Sequence, residues 1–266
     1  MKHTTVSALV IAELKRGFKN HLAYPVQAAS ELVGVGIAAA LAAYGPIGVA
    51  SGAAGIAGRA ASQAAGRLIG FMMAFVALAG LQVVHRVVRE ESDVGTLEQL
   101  CLSPVGLPAL IGARCFADTL RLAFLLIAAL ALSCPITRLV PSLVATLAAA
   151  LLMNAGMLGV GLVIGSLTLV FKRTGFVVNL ASIALLPLAL SPLDGLPRLA
   201  QHAASMVPLT HAVRICHAAL GEAPLSALRA GVTGLFVSGT IWLCVGMGVF
   251  AAAEKFARVK GLLGKY

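Results

Sequence analysis

Side chains able to do chemistry are sparse in this chain. It has ten Asp and Glu in 266 residues, and four of them, Glu90, Glu91, Asp93 and Glu98, crowd into residues 90–104. These acids do not form a paired general acid/base set at a plausible site, and no Ser/His/Asp or Cys/His arrangement accompanies them. No catalytic residue is therefore expected. The six histidines are dispersed. His211 and His217 fall off a single helical face, and Cys216-His217 lacks the first cysteine of a C-x-x-C-H haem site because Val213 stands there. The five cysteines, Cys101, Cys115, Cys134, Cys216 and Cys244, show no zinc or redox spacing, so no metal site is expected. A phosphate-cradling loop needs G-x-x-x-x-G-K-[ST], and the nearest fragment, Gly261 to Tyr266, has the wrong spacing. The chain is not expected to hydrolyse ATP alone or to hold a cofactor of its own.

The elements that position these residues are apolar. Hydrophobic residues make up 59% of the sequence and charged ones 11%, against about 25% charged in a soluble domain. The mean hydropathy is +0.96. Long continuous apolar runs, without the alternation of a transmembrane barrel, give an all-α, polytopic membrane protein. The net charge of +10 does not point to nucleic acid, because the basic residues sit at the ends of apolar runs and read as topology signals. The N-terminus lacks the compact apolar core and cleavage site of a signal peptide.

Six spans are predicted, at 25–44, 68–88, 107–133, 142–171, 174–191 and 231–253, within one transmembrane domain covering 1–266. Residues 1–24 repeat Val6, Val10, Leu14 and Phe18 every four residues, the pattern of an amphipathic helix on the membrane surface. A Gly/Ala-rich connection covers 45–67, and a basic tail covers 254–266. In 192–230, Pro192, Pro197, Pro208 and Pro224 break the chain into pieces too short to span.

Orientation follows from the basic residues. With the N-terminus inside, thirteen of the 20 Lys and Arg lie on the inner side and six on the outer. Both termini and the acidic segment are thus expected in the cytoplasm. Glu31 falls inside the first predicted span, and Asp118 and Arg121 fall inside the third. Asp118 and Arg121 have the spacing of a pair on one helix face. Such groups at membrane depth face protein or water, either as a structural pair or as a lining or gate; for Glu31 the sequence shows no partner.

Within the acidic segment, Thr96 can cap a short helix, Leu97, Leu100 and Leu102 give it an apolar face, and Pro104 stops it. Its simplest role is an interfacial connection between two spans. The segment also resembles the signature E-x-E-x-G-T-L-E-x-L-x-x-[ST]-P of ABC-2 type permeases, membrane subunits of ATP-binding-cassette exporters. Glu91, Gly95, Thr96, Leu97, Glu98, Leu100, Ser103 and Pro104 carry the match, with Asp93 where many members have another acid or a base. A looser similarity, to N-P-[LF]-[ST] followed by Arg and Gly, covers Pro208, Leu209, Thr210, Arg214 and Gly221, with Val207 in place of the Asn.

The resemblance implies a permease that works with two separate ATPase subunits and a second permease, identical or homologous, in the plasma (inner) membrane. Residues 90–104 would form the helix that couples to the ATPase, which would bind ATP and Mg. Residues 192–230 would form outer re-entrant helices. The substrate expected from the short loops is small and hydrophobic or amphipathic: a drug, antibiotic, peptide or lipid-like molecule. Two other functions fit the composition. A proton-coupled secondary transporter would use Glu31 and Asp118 as carriers, although no internal repeat is seen. A haem-handling protein of cytochrome assembly would need a tryptophan-rich loop, and the chain has one Trp, Trp242.

Overall fold

The computed structural model describes residues 57–95, 110–118, 120, 143–171, 174–190, 198–219 and 225–260. Six helices are bounded within them: α1 (Ala57–Val94), α2 (Leu143–Phe171), α3 (Gly175–Leu190), α4 (Arg198–Ser205), α5 (Pro208–Ala219) and α6 (Leu225–Val259). Residues 110–118 are also helical, and no strand occurs among the described residues. Three helices are long and apolar enough to cross a membrane, over Ile69–Val94, Ala145–Phe171 and Leu228–Val259. They match the predicted second, fourth and sixth spans. The predicted fifth span falls on the shorter apolar helix Gly175–Ala189, which contains Pro187. The first span, the N-terminal helix 1–24 and most of the third span lie outside the described residues.

Two helices run well past the predicted span edges. α1 has 38 residues and takes in part of the 45–67 connection as well as Glu90–Val94 of the acidic segment. Ala is the strongest helix former and no proline interrupts the run, so the helix continues where hydropathy stops. α6 likewise carries Glu254, Lys255 and Arg258 of the predicted tail as helix. Hydropathy marks where a helix leaves lipid, not where it ends.

Contacts between the helices set their directions. Gly161 lies against Leu81 and Gly165 against Val84, so α1 and α2 run parallel. Gly156 meets Gly239 and Gly159 meets Trp242 and Gly246, so α2 and α6 are parallel too. α3 is antiparallel to α1, with Gly70 at Ala189 and the Gln82 amide donating to Ser182 Oγ at 3.0 Å. α5 is antiparallel to α6, with His211 at Gly234 and Ile215 at Gly231. The C-terminal ends of α1, α2 and α6 therefore share one end of the bundle.

α2 is the axis of this arrangement. Its Gly161 and Gly165 face α1, while Gly156 and Gly159 face α6. Lipid supplies no hydrophobic force to hold helices together, so association rests on close packing and small residues. A Cβ on Gly161 would lie 2.7 Å from the Leu81 carbonyl oxygen, and one on Gly156 would lie 2.8 Å from Gly239 Cα. Around these contacts, Ile69, Met73, Met153, Met157, Leu209 and Leu235 fill the middle of the bundle. Val83, Val87, Leu110, Ile111, Leu169 and Phe250 fill the shared C-terminal end. A hydroxyl seam joins α1 to the start of α3: His85 Nδ1 meets Thr168 Oγ1 at 3.1 Å, and Thr168 meets Thr174 at 2.7 Å.

This packing separates two kinds of glycine. Gly159→Ala places a methyl against the Trp242 carbonyl group, which as backbone cannot step aside, and should lower the melting temperature of the purified protein markedly. Gly248 has nothing within 4 Å of its would-be Cβ. Gly248→Ala should leave the melting temperature unchanged or raise it, since Ala is favoured over Gly in a helix by about 1 kcal/mol. Thermal melts of the two variants in one lipid or detergent check the contrast.

Candidate functional site

The acidic segment begins inside α1. Glu90, Glu91 and Asp93 occupy its last turns, where the partial negative charge of the helix end disfavours acids. α1 then stops at Gly95, whose φ of 77° is left-handed and whose amide donates to the Ser92 carbonyl at 3.1 Å. A Cβ at Gly95 would meet nothing within 4 Å, so glycine serves the backbone angle there and not the packing.

What stabilises the acids comes from across the loop. Arg114, on the helical segment 110–118, donates to Glu91 at 2.7 Å and to Glu90 at 3.2 Å. One turn further along, Arg86 on α1 pairs with Asp118. The four positions interlock: Arg86 faces Asp118 while Glu90 faces Arg114, as two antiparallel helices require. The chain leaves α1 at Gly95 and returns by Leu110, and its two stems are fastened by reciprocal ion pairs. Arg114 and Glu91 are the shielded members, with side chains 12% and 15% exposed, while Arg89 and Asp93 form an i,i+4 contact at 3.8 Å in open solvent. Exposed pairs of that kind contribute little. Shielded, hydrogen-bonded ones contribute more.

Asp118 has a partner on α1, Arg86; Arg121, the partner expected from its own helix, lies outside the described residues. The Asp118 carboxylate is level with Arg86, towards the shared C-terminal end of the bundle. Glu91 faces inward onto Arg114, whereas Asp93 is open. Gly95 ends α1. Thr96, Leu97, Glu98, Leu100, Ser103 and Pro104 fall outside the described residues, as do Glu31 and Gly221. Arg86 and Arg114 were not singled out from the sequence. Their signal was there: in each stem a base precedes an acid by four residues, so antiparallel pairing brings opposite charges face to face.

The second predicted group lies on α5. Pro208 opens that helix, where a missing amide costs nothing. Leu209 and Thr210 are fully buried, and Arg214 is exposed. Pro208 packs on Gly156, midway along α2. The two groups are thus apart: the stems sit at the shared C-terminal end and the α4–α5 corner sits near the middle. Among the described residues no group of three or more His, Cys, Asp or Glu is placed to hold a metal ion.

The clamp makes a prediction. Arg114→Glu opposes Glu90 and Glu91 and should destabilise the protein by about 1–3 kcal/mol, the scale of hydrogen bonds to charged groups. Restoring the charges in reverse, with Arg114→Glu combined with Glu91→Arg, should recover part of the loss. Thermal melts of the single and double variants measure the coupling.

No curated protein matches the chain. A family model described as ABC-2 type transporter matches residues 6–220, a range that holds both stems, their ion pairs and the α4–α5 corner. With only helices among the described residues, three of them able to cross a membrane, and this match over most of its length, the chain belongs to the ABC-2 type transporter family.

Proposed function

We propose that this chain is the membrane-spanning half of an ATP-driven exporter, and that residues 96–104 are its contact with the ATPase. The family makes the chain a membrane component of a transporter that works with ATP-binding-cassette subunits. The observation that supports the finer reading is the clamped pair of stems. A segment that receives force from another subunit must not slide against the helices that it moves. The Arg86–Asp118 and Arg114–Glu90/Glu91 pairs, one helical turn apart, resist sliding of one stem against the other.

In this reading two ATPase subunits grip two permease chains, identical or homologous, in the inner membrane. Both termini and the stems lie in the cytoplasm, as the excess of basic residues on that side favours. ATP and Mg bind to the ATPase. Its closure presses on 96–104, and the stems pass that movement to α1 and to the helix through 110–118. The cargo leaves between the two permeases, and the short loops favour a small hydrophobic or amphipathic one.

The reading divides the acids by task. Glu91 holds the clamp, while Glu98 and Asp93, the latter exposed beside Arg89, meet a basic groove on the partner. Glu98→Lys should therefore lower co-purification of the ATPase, most strongly at low salt, where charge contacts are least screened. It should leave the melting temperature of the isolated permease unchanged. Glu91→Lys should lower that melting temperature. An ATPase that co-purifies fully with the Glu98→Lys, Asp93→Lys double variant at low salt would refute the coupling assignment.

A further inference from the structure

The α4–α5 corner poses a problem of backbone chemistry. α4 has 8 residues and ends at Ser205, and α5 begins at Pro208. The corner lies against Gly156 of α2 and Trp242 of α6, close to the midpoints of both helices. A helix end leaves its last carbonyls without partners. In a bilayer interior no water is present to take their place, and each unsatisfied group costs several kcal/mol.

Every carbonyl from His202 to Val207 has a donor. The Ser205 hydroxyl donates to His202 O at 2.7 Å, and the Met206 amide donates to Ala203 O at 3.2 Å. Ala204 O accepts from the Val207 amide at 3.1 Å and from the Thr210 hydroxyl at 2.9 Å. Ser205 O accepts from His211 Nε2 at 2.8 Å, which places the ring proton on Nε2. The other ring nitrogen, Nδ1, is buried with no hydrogen-bond partner, beside Gly234. Met206 O accepts from the Trp242 indole at 2.8 Å, across 36 residues of sequence. Val207 O closes the set, accepting from the Thr210 amide at 3.2 Å.

Four side chains thus do what continuing the helix would have done. Ser205 comes from α4, Thr210 and His211 come from α5, and Trp242 comes from α6. The seat on α6 is shaped for them: a Cβ on Gly234 would strike the His211 ring at 2.5 Å. We infer that Thr210, His211 and Trp242 are positioning residues that pin this corner, and that the α4–α5 hairpin is a fixed plug carried by α6, not a flap that swings on its own. Swinging it out would strip the Trp242 donor from Met206 O and lift the His211 ring off its seat on Gly234, level with the midpoints of α2 and α6. Opening of the pathway must then come from movement of whole bundles against one another. This rests on the chain being a membrane transporter, and it goes beyond the coupling of residues 96–104 to an ATPase.

Hydrogen–deuterium exchange on the full-length chain in lipid nanodiscs tests the pin without needing an ATPase or a cargo. Amides of 203–211 should be strongly protected in the native protein. Trp242→Phe keeps the ring and removes the donor, and should speed exchange there about tenfold, the effect of losing one buried hydrogen bond. Thr210→Val should act alike, while amides of α2 stay as they were. Should Trp242→Phe fail to fold, Gly234→Ala, which only displaces the His211 ring, gives the same reading. Two results would overturn the inference: corner amides that exchange in the native protein as fast as exposed ones, or variants that leave them unchanged. The coupling assignment stands or falls separately, on co-purification of the ATPase.

Discussion

Everything in this structure is measured from the contact of α2 with its two parallel neighbours. Glycines on opposite sides of α2 let backbone meet backbone on both, Gly161 at the Leu81 carbonyl of α1 and Gly159 at the Trp242 carbonyl of α6. Such contact is short-ranged and steep: a fraction of an ångström separates attraction from collision. It therefore holds register as well as distance. The stems at one end and the α4–α5 corner near the middle are each placed by helices whose relative heights these glycines set.

Given that frame, the stems and the corner follow one rule, that a shielded charge or a freed backbone carbonyl has a partner. At the stems the partners are ionic and partly wet. At the corner they are neutral hydrogen bonds. The difference suits the surroundings. Ion pairs tolerate water and lose strength only gradually as geometry shifts, whereas neutral donors avoid the desolvation cost that a charge would bring to the bilayer interior. The His211 ring illustrates the second case, since its bare Nδ1 fits the neutral form.

The long apolar elements were legible in the sequence because composition and membrane thickness together leave few choices: the run predicted at 142–171 is the helix Leu143–Phe171. Their ends were less so. The hydropathic edge near Arg89 is not the end of α1, which Gly95 sets through its backbone angle. Pairing was the least legible. Spacing on one helix offers Asp118 the nearby Arg121, and packing brings up Arg86, which the local rule cannot see. The Trp242–Met206 bond has no local signature at all, because nothing near Trp242 indicates which carbonyl will lack a donor. The prolines of 192–230 did announce that this stretch breaks, and Pro208 stands at the break.

The length of α1 has a mechanical consequence. At 38 residues and 1.5 Å per residue it is a rod of about 57 Å, longer than the roughly 30 Å hydrocarbon layer. The ion-paired stems are at one tip and the Gly/Ala-rich start is at the other. A tilt of about five degrees about one tip displaces the other by about 5 Å, close to one helical turn. A rod of this kind needs no internal hinge to turn a small change of angle at one end into a sideways shift of several ångströms at the other.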